Sequence, residues 1–280
     1  LKKEINLHFS STQRGPGRVV ESLARGLAGI GWSVYGNSRI QSDVIQGCLQ
    51  PTQALGSLPR NAIMGPNLFI FPSEWGEICK KFDHYVVPSE WVKKKYQKYA
   101  EMSSSTIDVW PAGIDTDLWS PKNQQKKEVL VYFKSRQREE LDFVINHLRS
   151  RSVPHRIIEY GKYEEKDLYL ACESARSCIL LTGTESQGIA YMQILSMGVP
   201  CYVVNKSKFD YFHYKDNPAD STSVPYFDQR CGEIFDTFNI DRFDEFSQKI
   251  SSFLPREFIE ESFTLEQAAK KYENIILGYI

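Results

Sequence analysis

Between Cys178 and Val204 the chain passes through an apolar run (CILL), a polar loop (TGTESQ), a helical stretch (GIAYMQILSMG) and a second apolar run (VPCYVV). Short apolar runs without alternation read as strands buried on both faces, and strands of that kind belong to parallel sheets covered by helices. A strand, a crossover helix and a second parallel strand form one βαβ unit, so this segment alone directs the chain to the α/β class. It also creates a site. A helix that begins just beyond the carboxyl end of a strand points backbone N–H groups and a partial positive charge into the crevice there, which suits an anion such as phosphate. Gly188 falls in the first turn of that helix, Glu185 at the mouth of the crevice, and Gln193 further along the same helix.

The same alternation extends in both directions. Ile5 to Phe9 reads as a strand that ends in the turn-forming run SSTQRGPGR, after which Val19, Val20, Leu23, Leu27 and Ile30 recur at helical spacing. Trp32 to Tyr35 begins the next strand. Gln41 to Pro59, rich in Gln, Ser and Gly, reads as irregular loop, MGPNLFIF as a turn plus a buried strand, and Tyr85 to Val87 as a further strand. The polar, proline-containing stretch Ser120 to Lys127 is the linker candidate. Beyond it come a strand (Glu128 to Phe133), a helix (Glu139 to Arg149), a strand (His155 to Tyr160) and a helix (Glu164 to Glu173), and Leu265 to Leu277 forms the last helix. This gives two domains, 1–119 and 120–263, and a terminal helical segment, 264–280. Each domain is a parallel sheet with helices on both faces.

Composition excludes several classes. A chain of 280 residues supports two modest cores, and a net charge of −1 gives no reason to expect nucleic acid. Six cysteines without a C-x-x-C pair, two of them inside buried strands, read as reduced structural thiols and not as zinc ligands or disulfides, which favours the cytoplasm. No apolar run approaches the ~18 residues of a membrane span, and the opening residues, LKKEINLHF, are too polar for a signal peptide. His8 and His84 fall within or at the start of strands and complete no Ser/His/Asp or Cys/His set, so hydrolase chemistry has no support.

Three segments together resemble retaining glycosyltransferases of family 4. Glu185, Gly188, Gln193, Met197, Gly198, Val199 and Pro200 stand in register with that family's E-x-F-G-x-x-x-x-E signature and its helix end. DHYVVPSEWVKKKYQKY (Asp83 to Tyr99) is similar to its D-x-V-V-x-x-S-x-W strand and helix, and IDVWPAGIDTDLWSP (Ile107 to Pro121) to its interdomain segment. The resemblance implies the GT-B fold, two Rossmann-like domains facing a central cleft, with an N-terminal domain unusually small for the family and short of helices or a sheet edge. The last helix, 264–280, would return to the N-terminal domain. The implied activity is retaining, metal-independent transfer of a hexose from a nucleotide-diphosphate sugar of UDP or GDP type, with no cofactor, to a glycan or lipid-linked acceptor.

The resemblance also assigns roles. Glu185 would accept hydrogen bonds from the donor sugar, and the backbone at Ser186, Gln187, Gly188 and Ile189 would meet sugar or phosphate oxygens. Lys134 and Arg136 would clamp the diphosphate, although their spacing is not the family's. Gly15, Gly17 and Arg18 resemble a glycine loop that approaches the donor from the opposite domain, while Tyr160 and Gly161, with Lys162, would line the base pocket. Gln193 stands where the family has a second glutamate that takes the ribose hydroxyls. The residues taken alone also fit blander roles: Glu185 as a helix-terminal acid, Lys134 and Arg136 as a solvated loop, the glycines as a tight turn. The KKKYQK run reads as a solvated helix face or, alternatively, as a peripheral contact with anionic lipid. Two further readings compete with transfer: a non-catalytic GT-B module that binds nucleotide sugar or glycan, and a sugar-nucleotide epimerase of similar fold.

Overall fold

The computed structural model describes residues 2–122, 126–209 and 219–279. The chain forms two compact units, Leu1–Asp115 with Ser262–Ile280, and Thr116–Glu261.

The first unit holds β1 (Glu4–His8), α1 (Arg14–Gly29), β2 (Ser33–Gly36), β3 (Ile45–Cys48), β4 (Ile63–Met64), α2 (Gly76–Lys81), β5 (His84–Val87), α3 (Glu90–Tyr96) and β6 (Thr106–Val109). Among the described residues its sheet has six strands in the order β2-β1-β3-β4-β5-β6, all parallel. Two of its helices are short, α2 with six residues and α3 with seven.

Three expectations about this unit are corrected. The stretch Gln41 to Pro59 contains β3, a central strand. Its character is hidden because Gln46 is buried, yet its amide is satisfied: the carbonyl oxygen takes a bond from Asn6 and pairs with the His8 ring at 2.9 Å, and the nitrogen donates to the carbonyls of Val44 and Gln41. In Ala62 to Phe71 the strand is Ile63–Met64, ahead of Gly65, and not Leu68 to Phe71, of which Leu68 and Phe69 instead pack against the core that includes Tyr85, Tyr96 and Met102. Gly15, Gly17 and Arg18 are not a loop at all but the first turns of α1. Pro16 stands where a helix has no amide bond to lose, and Gly17 starts the ladder by donating to Gln13 O at 3.1 Å. A Cβ on Gly17 would lie 2.0 Å from the Thr12 carbonyl, so the glycine serves close approach of the incoming chain to the helix.

The second unit holds β7 (Glu128–Lys134), α4 (Arg138–Ser150), β8 (His155–Glu159), α5 (Glu165–Ser174), β9 (Ala175–Thr182), α6 (Ile189–Ser196), β10 (Cys201–Val204), the small pair β11 (Lys208–Phe209) and β12 (Ala219–Asp220), β13 (Gly232–Phe235), α7 (Ile240–Lys249) and α8 (Pro255–Ser262). Its main sheet is parallel in the order β13-β10-β9-β7-β8. On one face Val129, Val131, Phe133, Ile179 and Leu181 meet Leu141, Val144 and Leu148 of α4 and Phe243 and Phe246 of α7. Right-handed crossovers put α5 and α6 together on the other face. Trp119 is buried in this unit, which begins at Thr116, and the linker candidate includes residues 123–125, outside the described set. All six cysteines are buried free thiols.

The chain then returns to the first unit as α9 (Leu265–Gly278). Ile114 bridges to Thr264, and Trp110 donates through Nε1 to Ala268 O at 2.8 Å. Gly26 of α1 lets the helices touch, because a Cβ there would lie 2.6 Å from Leu265 O.

Candidate functional site

In the second unit the chain leaves β7 for β8 on one side and then crosses back to β9 on the other, so the order reverses between β7 and β9. Loops leaving neighbouring strands in opposite directions open a crevice at their carboxyl ends, where open parallel sheets bind ligands. Lys134, the last residue of β7, pairs in register with Thr182, the last residue of β9, and Gly183 donates its amide to Lys134 O at 2.8 Å. The loop that follows reaches α6 through Gly188, whose φ of 76° is left-handed and whose absent Cβ leaves room for the Tyr191 ring: a Cβ would lie 2.0 Å from Cε1. The N-cap of α6 is Gly188 itself, which has no side chain to cap the first-turn amides.

At the crevice the Lys134 ammonium holds both oxygens of Glu185, at 2.7 and 2.9 Å, with the two side chains 23 and 10 % exposed. The same ammonium lies 4.6 Å from the centre of the Tyr160 ring. Tyr160, itself 48 % exposed, follows β8, and Gly161 turns the chain with a φ of 85°. Below them the Tyr132 and Tyr163 hydroxyls meet at 3.2 Å. Burial, then Tyr163 and the Glu185 carboxylate, push the Tyr132 hydroxyl far above its usual range, so it stays protonated. The Glu185 backbone is fixed by donation to Thr222 O at 2.9 Å, and Asn205, at the end of β10, fixes that neighbour by accepting from Thr222 Oγ1 and Ser223 N. Ser223 in turn donates to Thr182 O. The loop carrying Glu185 is thus tied to β7, β9 and β10.

Lys134, Glu185 and Tyr160 are brought together, and Ser186 to Ile189 form the loop and helix start above them. Arg136, expected to share the clamp, is paired with Glu140 at 2.6 Å at the head of α4, its side chain 7 % exposed. The glycines of α1 belong to the other unit. Gln193 is buried in α6 and donates from Nε2 to Glu165 Oε1 at 2.9 Å. Glu165, Tyr163, Thr222 and Asn205 have no place in the sequence expectation. Among the described residues no group of three His, Cys, Asp or Glu side chains is placed to hold a metal ion.

No protein-family model and no curated protein matches the sequence. Solved structures do match over the full chain. One is AviGT4, a glycosyltransferase involved in avilamycin A biosynthesis: 12 % identity, TM-score 0.56, covering 99 % of this chain and 98 % of that one. A second is the apo form of WaaB, a lipopolysaccharide outer core galactosyltransferase: 12 % identity, TM-score 0.57, covering 99 and 100 %. A third is sucrose-phosphate synthase from Thermosynechococcus elongatus: 10 % identity, TM-score 0.57, covering 98 % of each chain. The chain has the GT-B fold. At these identities the likeness concerns architecture.

Proposed function

We propose that this GT-B chain is a retaining glycosyltransferase that moves a hexose from a nucleoside-diphosphate sugar to a hydroxyl of a glycan or lipid-linked acceptor, without a metal ion. The observation that carries the reading is the Lys134–Glu185 pair at the end of β7 and in the loop that leads from β9 into the glycine-capped N-terminus of α6. A buried ion pair is costly to assemble and costly to split, because removing one partner strands the other. A nucleotide sugar offers both members a new partner at once: an anion for Lys134 and sugar hydroxyls for Glu185.

In that complex the diphosphate meets the α6 amides and Lys134, which neutralise the charge that grows on it as the glycosidic bond breaks. Glu185 accepts hydrogen bonds from the sugar and complements the positive charge developing on the ring. The acceptor hydroxyl enters on the face the diphosphate leaves, with its proton passing to a donor phosphate oxygen, so no protein nucleophile is required. Positioning and electrostatics then carry the rate. The half-exposed Tyr160 ring and the turn at Gly161 would flank the base.

A second reading has an observation of its own. Lys134 with Glu185, Arg136 with Glu140, and Gln193 with Glu165 are each paired within the protein, which also suits a module that binds nucleotide sugar or glycan without turnover. Release of nucleoside diphosphate from UDP-, GDP- and ADP-linked sugars separates the two. We expect one donor to be turned over by the native chain, with release abolished in Glu185→Ala and Lys134→Met variants of native-like melting temperature. Tight binding without turnover across an acceptor panel selects the module, and absence of binding to every donor removes the site assignment.

A further inference from the structure

The first unit has a reversal of strand order of its own. From β1 the chain goes to β2 on one side, and β3 then takes the place on the other, giving β2-β1-β3. Such a switch opens a crevice at the carboxyl ends of β1 and β3. A cavity of about 840 Å³ lies there, of the size that small ligands occupy. Its walls come from three strand ends: His8 and Phe9 at the end of β1, Ser38 and Arg39 beyond β2, and Pro51 and Thr52 beyond β3.

Side-chain amides hold these walls together. Asn37 joins the ends of β1 and β2, accepting from Phe9 N and donating to Phe9 O, both at 3.0 Å. Gln50, beyond β3, accepts from Ser11 N and donates to Ser11 O, both at 2.9 Å. Two groups of the lining are left for a ligand. Arg39 is exposed and, among the described residues, has neither an ion pair nor a hydrogen bond. The second is a ring nitrogen of His8. Asn6 Nδ2 spends its two hydrogens on Ser38 O at 2.9 Å and Gln46 Oε1 at 3.2 Å. The Gln46 oxygen can only accept, so its 2.9 Å contact with His8 is a donation from Nε2–H. Nδ1 then remains as the acceptor of the ring.

We propose that this cavity binds an acidic sugar, a hydroxyl-rich ligand that carries a phosphate or a carboxylate. Arg39 pairs with the acid, because a guanidinium fork meets either oxyanion through two parallel bonds. His8 Nδ1 accepts from a sugar hydroxyl, and the Phe9 ring, which lines the same space, offers an apolar face to the sugar's C–H groups. The cavity belongs to the first unit, whereas Lys134 and Glu185 belong to the second, so the assignment stands independently of the donor reading.

The test is equilibrium binding of glucose, glucuronate, glucose 6-phosphate and inorganic phosphate to the full chain, to Arg39→Gln, and to Ser38→Trp, which fills the cavity from its rim and leaves Arg39 in place. One of the two acidic sugars is expected to bind at least about tenfold more tightly than glucose, and which one it is identifies the acid. Arg39→Gln should remove that advantage and leave glucose little changed, and Ser38→Trp should abolish binding of all the sugars. Both residues are exposed, so both variants should melt near the native temperature. An acidic sugar bound equally by the native chain and Arg39→Gln overturns the proposal, as does inorganic phosphate displacing it as well as the sugar itself does. Binding of neither acidic sugar, or binding that survives Ser38→Trp, removes the cavity as the site.

Discussion

Replacing Gly188 by alanine tests whether the loop that carries Glu185 is built around a missing side chain. At φ 76° an alanine pays the left-handed penalty of about 1–2 kcal/mol. Its Cβ would also lie 2.0 Å from Tyr191 Cε1, so the buried ring must move. That ring is anchored through its hydroxyl, which accepts from Tyr226 N at 3.0 Å and donates to Tyr226 O at 3.2 Å. Losing those bonds costs about 1 kcal/mol each, and repacking a filled site about 1–3 kcal/mol more. Gly188→Ala should therefore destabilise the second unit by about 4–7 kcal/mol. In a Tyr191→Ala background the obstacle is gone, and the same substitution should cost only the backbone penalty of about 1–2 kcal/mol. Urea denaturation gives the four free energies of this cycle, with hydrogen exchange of peptides from β9 and α6 as the local readout. A cost below about 1 kcal/mol, or the same cost in both backgrounds, would show that neither the left-handed turn nor the Tyr191 contact shapes the loop.

Gly17→Ala should destabilise the first unit by about 2 kcal/mol, because its Cβ would meet the Thr12 carbonyl, while Gly15→Ala, with nothing within 4 Å, should stabilise by about 0.5–1 kcal/mol; thermal melts of the two variants check the pair. Arg256→Lys should cost about 2 kcal/mol, measured as a lower urea midpoint at unchanged slope, since one ammonium cannot reach the carbonyls of Ser196, Trp119 and Thr116 that the guanidinium holds at 2.8, 3.0 and 3.2 Å. Lys95, buried with its ammonium 3.6 Å from the centre of the Phe71 ring, is brought down to about 8 by burial, with Glu74 opposing. Between that value and the ordinary lysine range the unfolded chain binds the extra proton, so this residue's contribution to stability rises with pH there. The stabilisation expected of Lys95→Met over the native chain at pH 7 should accordingly shrink by pH 10, read as the difference between two melting-temperature profiles.

The second unit was largely legible from its residues because its strands are continuous apolar runs and its helices are bounded by polar turns: β7, β9 and β10 lie where VLVYF, CILL and CYVV place them. The first unit was less so. In β3 the inward position is a glutamine whose partners, Asn6 and His8, are about forty residues away, and no local pattern reports such a bond. The glycines of α1 look like a loop because glycine and proline signal turns, yet here one suits a helix start and the other a close approach. At the site, position along the chain places Lys134 at a strand end, Glu185 in the loop and Gly188 at a helix start, as the structure has them. It does not reveal that Arg136 turns to Glu140, or that Gln193 reaches Glu165 on a different helix. The first is a local pair four residues apart, and the second joins two helices and is decided by packing.

The first unit is closed by a helix translated after everything in the second. While residues 116–261 are being made, α1 has its sheet but not its neighbour α9, and Trp110 and Trp32 lack the partners that Ala268 and Glu273 supply. Order of synthesis therefore sets an order of completion: the unit that leaves the ribosome first is finished last. A chain halted between Glu261 and Thr264 would carry an incomplete first unit, with the α9-facing side of α1 bare, alongside a second unit whose residues are all present. Quality control that recognises exposed apolar surface would then find it at the beginning of the sequence, although the defect lies at its end.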